Sequence, residues 1–174
     1  RLGRGSTVIP CRLLLDGNEI ARASAVVTRL PHRPNAVKID RISGGLIVDD
    51  LPFFPFGFYC YSPVQPTLAE EEVVRGFNMM SPYQSNDPDG RAERRAYMDR
   101  AAELGVKVHY HLLSVAGGGG VSSGGPVSEE VLQREEWLRA EVEAFRDHPA
   151  LLAWYISDEP TGHNMPPEAL EQSY

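Results

Sequence analysis

The sequence predicts an α/β chain that holds the first four strand–helix units of a (β/α)8 TIM barrel, preceded by a short antiparallel β-sandwich fragment. Two observations support this prediction. From residue 56 onwards, short apolar runs alternate with helical patterns, which favours parallel strands joined by crossover helices. Before that point, apolar runs follow one another around turn residues, which is typical of antiparallel strands. The sandwich remnant and linker are assigned to residues 1–43, and the half-barrel to residues 44–174.

The amino-terminal part is predicted to form a β-hairpin followed by a third strand. Apolar-rich runs cover residues 7–15 and 19–28. The turn Asp16-Gly17-Asn18 lies between them and suits a hairpin, because Gly and Asn tolerate positive φ. The pattern resumes at Val37-Lys38-Ile39. A lone hairpin is only marginally stable, so these strands are expected to pack against the next domain or a segment outside this chain.

Four strand–helix units follow a second short hairpin over residues 46–54. Their strands are predicted at residues 56–61, 77–80 and 106–113 and in the apolar run between Pro149 and Pro160. A Thr67-Leu68-Ala69-Glu70 capping box is expected to start the first helix, while Gly76 and Gly105 are expected to end the first two. An open doubly wound sheet is the alternative, but it usually carries a glycine-rich nucleotide turn after its first strand, and none occurs here.

The fourth apolar run ends in two adjacent carboxylates and a proline, Asp158-Glu159-Pro160. Buried parallel strands present their chemistry at their carboxyl ends, so both acids are expected at the functional edge of the sheet. Neighbours on a strand point to opposite faces, which makes Asp158 and Glu159 a poor catalytic pair by themselves. The alternative is structural, with the two carboxylates capping the amides of the helix that follows.

Composition excludes several classes of function. The formal net charge of -7 and the pI near 5.2 argue against binding to nucleic acid or to anionic membrane surfaces. No apolar run approaches the roughly 20 residues of a membrane span. Cys11 and Cys60 give neither a disulfide framework nor a metal-binding pattern. The glycine-rich loop at residues 117–125 lacks Gly-Lys-Ser/Thr, so a linker or lid is predicted there, and no cofactor is predicted.

A set of segments from residue 44 to residue 174 resembles a known family. The segments are Gly45-Leu46-Ile47-Val48-Asp49-Asp50-Leu51-Pro52-Phe53-Phe54-Pro55-Phe56-Gly57, Gly76-Phe77-Asn78, Glu103-Leu104-Gly105-Val106-Lys107-Val108, His148-Pro149-Ala150-Leu151-Leu152-Ala153-Trp154-Tyr155 and Asp158-Glu159-Pro160. Together they resemble clan A of the retaining glycoside hydrolases, especially family 2-like TIM-barrel proteins. The resemblance implies a fragment of a protein that hydrolyses an O-glycosidic bond in a carbohydrate, and it favours an extracellular or secreted location.

The resemblance also implies roles for the two carboxylates. In the family the fourth strand ends in Asn-Glu-Pro, where the Glu is the general acid/base and the Asn binds the sugar 2-hydroxyl. Glu159 is therefore the predicted catalytic residue, and Asp158 the predicted substrate-binding residue in place of the Asn. The family's nucleophile follows a seventh strand that this chain does not contain, so the chain alone is expected to be inactive.

Side chains on the other strands complete the predicted site. His109 and His111 alternate along the third strand and share a face, with His111 nearer the carboxyl end. His111 is a candidate contact for a sugar hydroxyl, and Tyr59 and Tyr83 for a stacking floor under a sugar ring, although core packing explains these residues as well. Trp154 has the opposite parity to Glu159 and is expected to pack on the helices.

Two other functions remain open at this stage. One is a non-catalytic carbohydrate-binding or scaffolding protein, which the Asp158 departure favours. The other, weaker one is a metal hydrolase that uses His109, His111 and Asp158, although the pair of histidines has no clear third ligand. A catalytic serine or cysteine has no support, because no Gly-x-Ser-x-Gly elbow occurs. The oligomeric state is not predicted.

Overall fold

The structure is a computed structural model that describes residues 5–31, 33, 35–116, 129–161 and 167–172. The chain divides into two compact units, residues 1–33 and 34–174. The predicted glycine-rich linker or lid lies outside the described residues. No described helix combines the length and the apolar character that a membrane crossing requires.

The first unit is a single antiparallel hairpin of β1 (Gly5–Leu15) and β2 (Asn18–Arg29). Asp16 and Gly17 have φ values of 48° and 80°, the backbone conformation that a two-residue hairpin turn requires, so the predicted hairpin is confirmed. Its register places Ile9 opposite Ala25 and Leu13 opposite Ala21 on one apolar face.

The second unit begins with a three-stranded antiparallel sheet in the order β3 (Val37–Ile39), β4 (Leu46–Val48) and β5 (Leu51–Phe53). The turn between β4 and β5 consists of Asp49 and Asp50, with φ values of 51° and 63°. The second predicted hairpin is therefore confirmed. The third predicted strand pairs with β4, and not with the amino-terminal hairpin.

A four-stranded parallel sheet in the order β6-β7-β8-β9 forms the rest of the second unit. Its elements are β6 (Gly57–Tyr61), α1 (Leu68–Val73), β7 (Met79–Tyr83), α2 (Arg91–Glu103), β8 (Lys107–His111), α3 (Glu129–Phe145), β9 (Leu151–Tyr155) and α4 (Pro167–Gln172). Gly76 and Gly105 follow α1 and α2 with φ values of 91° and 72°, so both predicted helix ends are confirmed. At Gly57 a Cβ would lie 2.2 Å from the Met79 carbonyl oxygen, so the close approach of β6 to β7 requires glycine.

The hydrophobic core lies on the face of the parallel sheet that α2 and α3 cover. Met80, Val108 and Tyr110 on this face are fully buried, as are Met98 of α2 and Phe145 of α3. Trp154 packs edge-on against the Tyr110 ring, with 5.5 Å between the ring centroids. The prediction that Trp154 faces the helix-covered side is therefore confirmed.

The predicted fold class, a half TIM barrel preceded by a β-sandwich fragment, was wrong. Five of the nine described strands lie in two antiparallel sheets, and the remaining four form one parallel sheet. Within the described residues β6 and β9 each pair on one side only, so this sheet is open. The amino-terminal hairpin is a two-stranded sheet of its own, β1-β2. The chain is of mixed α/β class.

Candidate functional site

The face of the parallel sheet opposite the core carries polar aromatic and histidine side chains. Alternation along a strand places every second residue on this face. We call it the tyrosine–histidine face, and it consists of Tyr59 and Tyr61 of β6, Ser81 and Tyr83 of β7, His109 and His111 of β8 and Tyr155 of β9.

The rings of this face contact one another. The centroid of His111 lies 5.7 Å from that of Tyr59, 5.3 Å from that of Tyr83 and 4.4 Å from that of Tyr155. The His111 ring is fully buried, whereas Tyr59 is 51% exposed and Tyr83 is 40% exposed. The two tyrosine rings therefore present apolar surface to solvent on either side of a buried imidazole.

Ser81 joins the two histidines of β8. Its hydroxyl oxygen lies 2.9 Å from His111 Nε2 and 3.2 Å from His109 Nδ1. A hydroxyl has a single proton, so it donates to one imidazole nitrogen and accepts from the other. Burial, together with the neighbouring His109, lowers the pKa of His111 to about 4, and burial also lowers the pKa of His109. Both rings are therefore neutral at pH 7, and the buried His111 Nδ1 has no hydrogen-bond partner in the part of the chain that is described.

Two side chains that the sequence analysis missed hold the backbone of His111. Asn86 Nδ2 donates to the His111 carbonyl oxygen at 2.9 Å, and Gln84 Nε2 donates to it at 3.3 Å. Ser114 Oγ in turn donates to Asn86 Oδ1 at 2.8 Å. These amides follow directly after β7, at the same edge of the sheet as the candidate site. Their position at a strand end was the one signal in the sequence that could have identified them.

The predicted carboxylates follow directly after β9. Tyr155 Oη donates to Asp158 Oδ1 at 2.5 Å, and this bond, with burial, raises the pKa of Tyr155 to about 12. The Asp158 charge also acts on Tyr59 and His111, so this carboxylate belongs to the tyrosine–histidine face. Glu159 is exposed, has a φ of 41°, and makes no hydrogen bond or ion pair with the described residues.

The structure thus brings together the four predicted substrate-binding residues, namely Tyr59, Tyr83, His111 and Asp158. Glu159, the predicted catalytic residue, is the next residue in the chain after Asp158 and is exposed. Asp158 accepts a hydrogen bond from a strand tyrosine and not from a helix amide. Across the part of the chain that is described, no group of three or more His, Cys, Asp or Glu side chains could hold a metal ion. His109, His111 and Asp158 therefore do not form a metal site in this structure.

His111 is expected to make folding stability depend on pH. Its folded-state pKa of about 4 lies below the ordinary value of 6.5, so below pH 6.5 the unfolded chain takes up a proton that the folded chain does not. The contribution of the neutral His111 to the free energy of unfolding is therefore complete above pH 6.5. It is lost as the pH falls towards 4, and the loss is of the order of 2–3 kcal/mol.

Urea denaturation at pH 7 and pH 4.5 measures this effect. His111→Asn removes the titrating group, and we expect the variant to lose less stability than the wild type between the two pH values. An equal loss in both proteins would show that His111 does not titrate in this way.

Comparison of the chain with protein-family models, with curated proteins and with solved structures finds no match.

Proposed function

We propose that the tyrosine–histidine face binds a carbohydrate, and that this chain is part of a protein that hydrolyses an O-glycosidic bond there. In this proposal Tyr59 and Tyr83 stack on sugar rings, while Asp158 and His111 bind sugar hydroxyls. Glu159 is the general acid/base. The resemblance to retaining glycoside hydrolases supports the proposal from the sequence side.

One observation carries the proposal. Two half-exposed tyrosine rings flank a buried imidazole whose Nδ1 has no partner, and a carboxylate held by Tyr155 lies beside them. Sugars combine apolar ring faces with hydroxyl groups, so they suit a surface on which aromatic rings adjoin hydrogen-bonding groups. A buried polar atom without a partner costs free energy, and a hydroxyl group of the ligand satisfies it once the tyrosine rings that cover the imidazole move aside.

Hydrolysis requires two carboxyl groups, and in this proposal Glu159 is one of them. A retaining mechanism needs two carboxyl groups about 5–5.5 Å apart, one as acid/base and one as nucleophile. Glu159 is exposed and lies shortly after β9, at the carboxyl edge of the sheet, and in this proposal it protonates the glycosidic oxygen. Asp158 is engaged by Tyr155, so we assign the nucleophile to a segment beyond this chain.

A non-catalytic carbohydrate-binding protein is the second candidate. It is favoured by Asp158, which stands where the resembling family has Asn, and by the absence of any described partner that would hold Glu159 in one orientation. Both candidates share the binding face, and they differ only in whether Glu159 acts on the ligand.

Removing one tyrosine ring tests the binding face that both candidates need. Tyr83→Ala is expected to weaken the binding of β-linked oligosaccharides about threefold to tenfold, because one stacking contact is lost. Affinity is measured by isothermal titration calorimetry on the whole chain. Phe54→Ala is the matched control, because Phe54 is an exposed aromatic residue away from the face.

The two variants are decisive when compared with each other. Weakening in Tyr83→Ala with no change in Phe54→Ala is the expected result. Equal affinities in both variants and the wild type, or no binding of any oligosaccharide, would contradict the proposed function.

A further inference from the structure

A concave site lies on the helix-covered side of the parallel sheet. It is a cavity of about 610 Å³, lined by the loop at residues 62–66, Ala69 of α1, Met80 of β7 and one side of α2 from Glu93 to Arg100. We call it the α1–α2 cavity. Its volume falls within the range of small-molecule sites, roughly 300–1,000 Å³. It lies on the opposite side of the sheet from the tyrosine–histidine face, so ligand binding in this cavity is independent of the proposed function.

The walls of the cavity are mainly apolar. Pro63, Val64 and Pro66 of the loop face Ala96 and the Tyr97 ring of α2, and Met80 of the sheet also lines the cavity. Tyr97 Oη donates to Gln84 Oε1 at 2.6 Å, so the hydroxyl of this residue is already satisfied. An apolar ligand body would therefore meet few unsatisfied groups on these walls.

The two arginines of the lining are already neutralised. Arg94 donates to the buried Glu141 carboxylate at 2.5 and 3.0 Å. Arg100 donates to Glu70 at 2.5 Å and to Glu103 at 2.6 Å. Neither guanidinium group is therefore available as the counter-ion of an anionic ligand.

The carboxylates of the same region are not all matched. Glu93 lines the cavity and makes no hydrogen bond or ion pair with any described residue. Glu70, which follows the lining residue Ala69, uses one carboxylate oxygen for Arg100, and its other oxygen, Oε2, has no partner among the described residues. Glu93 is the one carboxylate of the described lining, and its charge is unpaired.

We propose that the α1–α2 cavity binds a small organic cation with an apolar body. The apolar body packs on Val64, Met80 and the Tyr97 ring, and the amine or similar group pairs with Glu93. The cavity volume sets the size of the ligand, the walls set its apolar body, and the unpaired Glu93 carboxylate sets its charge. A charge placed near the exposed rim contributes moderately to affinity and strongly to the choice between cation and anion.

Three probes with the same apolar body and different end groups test this proposal. They are 4-phenylbutylamine, 4-phenylbutan-1-ol and 4-phenylbutyrate, titrated into the whole chain and followed by NMR. The amine is expected to bind most tightly and the carboxylate at least about tenfold more weakly, because the carboxylate would meet Glu93 with like charge. Carboxylate binding as tight as amine binding, or no binding of the amine at about 10 mM, would overturn the proposal.

Two variants with matched controls locate the site. Glu93→Gln is expected to weaken amine binding about threefold to tenfold and to leave the alcohol unchanged, while Glu143→Gln on α3 changes neither. Ala96→Trp fills the cavity and is expected to abolish binding of all three probes, while Arg139→Trp, at an exposed position of α3 outside the lining, preserves it. If Ala96→Trp does not fold, Glu93→Gln decides alone, and undiminished amine binding in that variant overturns the proposal.

Discussion

Replacement of Glu141 by alanine is expected to lower the free energy of unfolding by about 3–5 kcal/mol, the largest stability effect that we expect from a single substitution in this chain. Glu141 lies on α3 and is fully buried. Its carboxylate accepts hydrogen bonds from Arg94 at 2.5 and 3.0 Å, from Arg91 at 3.1 Å, and from the Tyr110 hydroxyl. It therefore links α2, α3 and β8.

The cost arises from the charge that the substitution leaves behind. Arg94 is 3% exposed, so after the loss of Glu141 its guanidinium group would remain buried without a counter-ion. Burial raises the pKa of Tyr110, so its hydroxyl remains protonated and would lose its acceptor. Glu141→Gln keeps the shape and one acceptor oxygen, and we expect a smaller loss for it.

Urea denaturation of the two alanine variants Glu141→Ala and Glu143→Ala measures this effect. Glu143 is exposed on the same helix and has no such partners, so its substitution is expected to change the stability by less than about 0.5 kcal/mol. A loss below about 1 kcal/mol for Glu141→Ala would show that the buried ion pair does not hold α2 and α3 together.

Replacement of Glu159 by glutamine is expected to reduce glycosidase turnover by about 10²–10⁴-fold in a protein that also supplies the nucleophile. Glutamine cannot donate or accept the proton of the general acid/base step. Glu159 is exposed and makes no hydrogen bond or ion pair with the described residues, so folding stability is expected to be unchanged.

Two further variants make the result specific to Glu159. Glu168→Gln replaces an exposed carboxylate on α4 and is expected to leave turnover unchanged. Asp158→Asn keeps an acceptor for the Tyr155 hydroxyl and restores the residue of the resembling family, so turnover is expected to be retained. Unchanged turnover in Glu159→Gln would remove this residue from the mechanism.

Local structure in this chain follows from local sequence signals. Asp16-Gly17 and Asp49-Asp50 form turns because these residues tolerate positive φ, and Gly76 and Gly105 end helices for the same reason. The predicted Thr67-Glu70 capping box did not form, because Thr67 donates to Glu71 and Glu70 pairs with Arg100 of α2. A partner 30 residues away in the sequence decided that outcome.

Long-range arrangement was harder to predict. Alternation of strands and helices predicts parallel pairing but not whether a sheet closes, which depends on strands that meet across the whole fold. The buried side of α3 carries Glu141 together with Phe145 because Arg94 meets the carboxylate there, and an apolar helical pattern does not predict a buried glutamate. Strand parity, in contrast, predicted the shared face of His109 and His111, since it depends only on neighbouring residues.

The most direct test of the central claim is NMR chemical-shift mapping of the whole chain during titration with a β-linked oligosaccharide. A carbohydrate bound on the tyrosine–histidine face predicts that the ring resonances of Tyr59, Tyr83 and His111 shift together and saturate, while those of the buried Tyr110 ring on the opposite side of the sheet stay unchanged. Shifts confined to residues outside this face, or no saturable shift, would contradict the claim.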